Sequence, residues 1–283
     1  MSNKVADLIT KKFIDALNED VLPWQKGWIL RGGPRNLVSK KPYRGINPLM
    51  LSFFGGGDQW FLTFNQIKAL GGKLVDAKGS GIPICFYSPI ENKKEKDAKG
   101  NPKKFMMMRY YLVFPFSKTE GIKAPAEEAA FEHTPVEAAE ILLANNECPV
   151  SFGGDRACYT PALHSMNMPT KESFKTPEAF YKTYFHEIGH SLARETGVAL
   201  DVNFGSETYS QEELVAEIFS SFCMNHCGIL TDSIMENSKA YVKGWVSKLK
   251  SQPEIILKAA GQAQKRFDIF AGNVFNYDNE NEN

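Results

Sequence analysis

Two histidines four residues apart enclose a glutamate in the run His186-Glu187-Ile188-Gly189-His190. In a helix, residues i and i+4 lie on one face a turn apart, so both imidazoles can reach one ion. Glu187 between them stands where a carboxylate takes a proton from water that the ion activates. The chain has five histidines in 283 residues, and composition alone supplies such a run on the order of 0.01 times. The spacing is therefore read as a zinc site, with one Zn2+ per chain. A catalytic zinc takes three protein ligands and keeps one position for water. The third is expected from the segment Ser210-Gln211-Glu212-Glu213-Leu214-Val215-Ala216-Glu217. Glu213 and Glu217 share a helix face, whereas Glu212 points about 100° away from Glu213. Glu213 is assigned as the third ligand, and Glu217, one turn on, as the outer partner of a histidine. Two carboxylates on a helix otherwise carrying Leu214, Val215, Ile218 and Phe219 would be costly to bury without a cation. Gly189 costs about 1 kcal/mol of helix propensity against Ala. Its presence predicts the close approach of a neighbouring backbone, taken to be a strand. Cys223 and Cys227 are also four apart, but they lack a second ligand pair and are read as buried thiols.

The elements that must hold these residues follow from periodicity and punctuation. Helices are expected at about 176–196, 209–227, 232–250 and 253–271, with Ser210 and Glu213 at capping-box spacing and Pro253 in a first turn. Before them, Thr134-Pro135 opens a helix, and short strands fill 148–168 around Gly153-Gly154. In the first half, Val5, Leu8, Ile9, Phe13, Ile14 and Leu17 mark one face of a helix over 4–20. Pro48 to Phe54 reads as a short helix, and Thr63 caps another that stops at Gly71-Gly72. Strands are expected at 82–89 and 106–116, joined by the charged loop 91–104. Residues 117–131 are the expected linker, and the polar tail 273–283 is expected to be disordered.

Charge divides the chain in the same place. Residues 1–126 carry 21 Lys and Arg against 10 Asp and Glu, a balance of +11, and residues 127–283 carry the compensating −11. The net charge of zero thus combines a basic half with an acidic one, which suggests modules with different partners. The 43% hydrophobic content excludes a wholly disordered chain. No run approaches eighteen apolar residues, so no membrane span is expected. The N-terminal segment lacks a secretory pattern, and five scattered cysteines suit a reducing compartment. A cytoplasmic protein is expected. The residues also argue against a metal-dependent nuclease, since many phosphoester-cutting sites use two ions and more carboxylates.

Several segments together resemble the ArdC-type antirestriction proteins and the N-terminal portion of TraC-type conjugative primases. In the first half these are Pro23-Trp24-Gln25-Lys26-Gly27-Trp28, Lys41-Pro42-Tyr43-Arg44-Gly45-Ile46-Asn47, Trp60-Phe61-Leu62-Thr63-Phe64 and Lys68-Ala69-Leu70-Gly71-Gly72. In the second they are Gly153 to Tyr159, Met168-Pro169, the histidine motif and Glu212 to Glu217. The resemblance covers roughly residues 5–272. It implies an α+β protein of two domains. Residues 1–125 form a small basic α+β module that binds single-stranded DNA. Residues 131–272 form a mainly helical zincin-like metallopeptidase domain with a short antiparallel sheet. It further implies a mobile-element protein that protects entering DNA from restriction.

Non-specific single-strand binding needs neutralised phosphates and stacked bases. The contacts expected here are Trp28, Arg35, Lys41, Tyr43, Arg44, Lys103, Lys104 and Arg109, with Tyr43 and Arg44 taken as loop-borne and exposed. The expected chemistry of the second half is peptide-bond hydrolysis with Glu187 as base, on an unnamed protein substrate. The alternative is a DNA-binding and shielding protein whose zinc is structural.

Overall fold

The computed structural model describes residues 4–19, 33–96, 102–123, 125, 133–197, 207–229 and 239–272. Trp28 and the tail 273–283 lie outside them, as do residues 124 and 126–131 of the expected linker.

The first half is α1 (Lys4–Asn18), β1 (Arg35–Asn36), α2 (Ile46–Phe54), β2 (Trp60–Thr63), α3 (Phe64–Ala69), β3 (Lys73–Leu74), β4 (Ile82–Lys96), β5 (Pro102–Pro115) and β6 (Thr119–Glu120). One sheet has the order β1-β2-β5-β4, and β3 pairs with β6. α3 starts where expected because Thr63 and Gln66 form a reciprocal capping box. The β4–β5 hairpin corrects the expected loop at 91–104. The ladder runs on through Glu91↔Lys104 and Asn92↔Lys103. Backbone ladder bonds do not require apolar side chains, so a charged segment can continue the pairing.

The second half is α4 (Pro135–Leu143), β7 (Val150–Phe152), β8 (Cys158–Thr160), β9 (Ser165–Met168), α5 (Pro177–Ser191), α6 (Glu207–His226), α7 (Lys239–Ser251) and α8 (Ile255–Phe270). This is the mixed α+β architecture expected, with three corrections. The small sheet, order β7-β9-β8, is not purely antiparallel, because β7 runs parallel to β9. α6 begins at Glu207, so Ser210 lies inside the first turns rather than at the cap. Pro253 precedes α8 instead of opening it, and its carbonyl accepts a hydrogen bond from the Thr10 hydroxyl.

That last contact belongs to a joint between the halves. α1 packs on α7, and α2 packs on α8. The Arg44 guanidinium pairs with Asp268, and Gly45 N–H donates to Gln264 Oε1 at 3.1 Å. One hydrophobic cluster runs from Ile9, Phe13 and Leu49 through Phe61 to Phe185, Ile218, Phe219 and Ile256. Basic and acidic halves thus share a core, and α8 lies against both.

Candidate functional site

α5 and α6 build the centre. Thr176 caps α5 by accepting the Ala179 N–H, and Pro177 fills its first turn. Phe180, Tyr181, Tyr184, Phe185 and Ile188 bury the helix, which fixes the rotation of the histidine face. Gly189 lets α6 approach closely. A Cβ there would lie 3.0 Å from Phe219 Cδ1 and 3.1 Å from Ala216 Cα. The close neighbour is therefore a helix, not the strand expected from the sequence.

This approach brings the three expected ligand groups together. His186 Nε2 lies 3.1 Å from His190 Nε2 and 3.5 Å from Glu213 Oε2, and His190 Nε2 lies 3.5 Å from Glu213 Oε1. Tetrahedral ligands at zinc bond lengths of about 2.0–2.1 Å stand roughly 3.4 Å apart. The two imidazole nitrogens, each 3.5 Å from one Glu213 oxygen, thus stand close to the separation one small cation requires. Among the described residues, His186, His190 and Glu213 form the cluster that could hold a metal ion.

The outer partners differ between the two histidines. Glu217 Oε1 lies 3.9 Å from His186 Nδ1, as the helix spacing predicts. His190 Nδ1 instead meets Glu212 Oε1 at 3.2 Å. The sequence reading set Glu212 aside because it lies round the helix from Glu213. At close helix approach, the His190 ring sits between the two glutamates and contacts both. Glu212 is gripped in turn by Arg266, from Nη1 to Oε1 at 2.5 Å and from Nη2 to Oε2 at 2.9 Å. Arg266 was missed too, although a signal existed. It falls on the apolar stripe Ile256, Ala259, Ala263, Phe270 of α8, where a charge is out of place.

Electrostatics follow from these contacts. Burial disfavours a charged His186, but the Glu213 hydrogen bond and the charges of Glu217, Glu213 and Glu187 outweigh it and raise the imidazole to about 9. In the metal-free protein a proton therefore stands among groups that suit a cation. Burial also works to raise the Glu212 carboxyl. The hydrogen bonds from His190 and Arg266, and then their charges, hold it below the usual value. Glu187 is buried, and its Oε2 accepts the Tyr159 N–H of β8 at 2.7 Å. Tyr159 OH contacts His164 Nδ1 at 3.0 Å. Cys223 and Cys227 are buried free thiols, as expected.

The expected DNA contacts are placed less uniformly. Lys41 and Arg109 are exposed. Lys103 and Lys104 lie on the outer part of β5, as register partners of Asn92 and Glu91. Arg35 is half-buried in β1 beside Trp60 of β2. Tyr43 and Arg44 correct the expectation of an exposed loop. Tyr43 packs edge-on against Phe61 and receives a hydrogen bond from Asn36 Nδ2, and burial pushes its phenol well up. Arg44 is committed to Asp268. Four exposed aromatics lie on the hairpin instead. Phe86 and Tyr111 pair at 5.3 Å between ring centroids, on the face that also carries Arg109. Tyr87 and Tyr110, about half exposed, occupy the other face.

Two histidines and a glutamate on paired helices, beside a small sheet whose β8 holds the intervening glutamate, define a zincin-like metallopeptidase domain. Residues 137–262 match that family, described as zincin-like metallopeptidase, and residues 3–114 match the N-terminal domain of anti-restriction factor ArdC. Each half of the chain thus matches one of the two domain families. The metal-free crystal structure of the antirestriction ArdC protein from plasmid R388 is similar over 95% of this chain and 97% of its own, with a TM-score of 0.72 and 26% identity. The Mn(II)-bound structure of that protein gives a TM-score of 0.75 at 24% identity, over 96% of this chain and 98% of its own. Two forms of the Escherichia coli DNA primase TraC are 30% and 31% identical over 93% and 92% of this chain. The chain spans only 19% and 26% of their length. An uncharacterized protein of Sinorhizobium fredii, y4eC, is 24% identical over 93% of this chain and 90% of its own. No helix among the described residues is long and apolar enough to cross a membrane.

Proposed function

We propose that the protein binds single-stranded DNA through its N-terminal half and hydrolyses a peptide bond with its C-terminal half, in the cytoplasm of a cell receiving a mobile element. The observation that carries the catalytic part is the convergence of His186 Nε2, His190 Nε2 and Glu213 around one point beside a tethered Glu187. His186, His190 and Glu213 would hold one divalent cation, zinc by the chemistry of two imidazoles and a carboxylate. A cation bound there supplies a Lewis acid for the substrate carbonyl and lowers the pKa of water at the site. Glu187 is the general base. The Tyr159 N–H holds Oε2, and the carboxylate takes the proton of the attacking water and returns it to the leaving amine. β8 keeps that carboxylate aimed while the buried aromatic face of α5 excludes bulk water from below. The antirestriction role of the R388 relative supports the same biological setting for this chain.

The DNA part rests on the hairpin. Arg109, with Lys103 and Lys104 along β5, offers positive charge, and Phe86, Tyr111, Tyr87 and Tyr110 offer exposed rings. Stacked bases contribute about 1–3 kcal/mol each with little regard to sequence.

Metal analysis of protein purified without chelator tests the first part, followed by a peptidase screen with Glu187→Gln. About one zinc per chain and a cleavage abolished by Glu187→Gln is the expected result. Cleavage that persists in Glu187→Gln sinks the mechanism. A metal whose removal melts the fold, with Glu187→Gln leaving every function intact, gives the structural-metal reading instead. Binding of a single strand should weaken with salt by about 0.7 log units per decade for each neutralised phosphate. A flat response removes the DNA part.

A further inference from the structure

We infer that Arg266 is a positioning residue of the metal centre, acting through Glu212 on His190 and directly on the end of helix α5. The inference rests on the reading that His186, His190 and Glu213 hold the cation.

Arg266 is fully buried, yet it occupies a core position of α8. A buried ion pair gives little net stability against an apolar replacement of similar volume. Its presence is better explained by what it holds. Its fork grips both oxygens of Glu212, which leaves Oε1 also facing His190 Nδ1 at 3.2 Å. An ionised carboxylate can only accept. His190 must therefore donate from Nδ1, and in the neutral imidazole that a metal ligand requires this leaves the lone pair on Nε2, the atom aimed at His186 and Glu213. Which ring nitrogen serves a metal is set by what the other one bonds.

A second contact ties the same guanidinium to the motif. Nη1 donates to the Gly189 carbonyl at 2.8 Å. α5 ends at Ser191, and the last carbonyls of a helix lack partners within it. Arg266 thus fixes the backbone immediately before His190 as well as its ring. Only a planar, multi-donor group serves both acceptors, so lysine is not equivalent. Helix α8 is itself held against the first half, because Asp268, two residues on, pairs with Arg44 and accepts from Gln264 Nε2 at 3.1 Å. The arginine is therefore presented from an anchored element.

The test is Co(II) affinity of the full chain, by chelator competition and the visible cobalt spectrum, in wild type, Glu212→Gln, Arg266→Met, the double variant and Arg266→Lys. Each single variant should bind about 10- to 100-fold more weakly, the loss typical of an outer partner of a metal ligand. The cobalt bands should change in shape. The double variant should lose no more than the weaker single one, because both changes break the same chain of contacts. Arg266→Lys should recover only part of the affinity. Wild-type affinity in a folded Glu212→Gln or Arg266→Met overturns the inference, and so do fully additive losses in the double variant. If Arg266→Met fails to melt cooperatively, Glu212→Gln, which keeps the side-chain shape, decides alone. Wild type that binds no cobalt brings down the ligand reading and this inference with it. Wild type that binds while the variants match it brings down only this inference.

Discussion

The histidine–glutamate cluster and the basic hairpin use their residues in opposite ways. The cluster draws on two helices and sets the two histidine Nε2 atoms 3.1 Å apart and each 3.5 Å from one Glu213 oxygen, with each outer histidine nitrogen facing its own glutamate. The hairpin spreads charge and aromatic area along β4 and β5, on both faces of a two-stranded ribbon. A cation site fails when one atom moves by an ångström, because coordination bonds are short and directional. A surface for a flexible polyanion is a sum of weak terms, and no single term is indispensable. One region should therefore respond to single substitutions steeply and the other gently.

The steepest response is expected at a ligand. His186→Ala should lower metal affinity by more than the roughly 100-fold that marks loss of an outer partner, and metal analysis should find the purified variant empty. Retained metal would mean that the centre is as tolerant as the hairpin, and the contrast would collapse. Proton competition comes next. His186 in the metal-free protein is raised to about 9, so metal uptake below that pH must displace a proton. Affinity should rise by about tenfold per pH unit up to that point and then level off. The sign for folding is the reverse. A raised imidazole stabilises the metal-free protein fully below its ordinary 6.5, and that contribution is lost as pH rises through about 9. Added metal should therefore raise the melting temperature most at alkaline pH; an equal rise at pH 6 and pH 9 would contradict this.

The joint between the halves should respond less. Asp268→Ala strands a partly buried Arg44 and should cost about 3 kcal/mol in a denaturant melt. Gly189→Ala should cost about 1–3 kcal/mol from overpacking against Phe219 and Ala216, even though Ala is the better helix former by about 1 kcal/mol. An unchanged melting temperature would show that α5 and α6 can part at no cost. The gentlest effect belongs to the hairpin. Arg109→Ala should leave stability within about 0.5 kcal/mol and reduce the salt slope of single-strand binding by about 0.7. A complete loss of binding would make the hairpin a focused site and erase the distinction.

The centre was legible because its logic is local. His186 and His190 need only helical spacing to share a face, and Glu213 and Glu217 likewise. The helix starts at Thr63 and Thr134 were legible for the same reason, since a capping box closes within four residues. The hairpin was harder. Charge suggested a loop at 91–104, yet strand pairing is decided by a partner strand rather than by polarity. Tyr43 and Arg44 misled because Pro42 and Gly45 signal a turn but say nothing about what packs over it. That cover comes from Phe61 and from α8, far along the chain.

By itself the sequence singled out His186, His190 and Glu213 as a cluster, the division of charge and most helices, because each is read from local spacing or from composition. Only the tertiary structure decided which partners those residues keep. Gly189 draws α6 against α5, so that Glu212 as well as Glu213 reaches His190. α8 brings Arg266 from far along the chain to hold Glu212, and the same helix takes Arg44 away from solvent. Such pairings are set by which helix faces meet in a shared core, and helical periodicity gives the face of each helix without naming the face it meets.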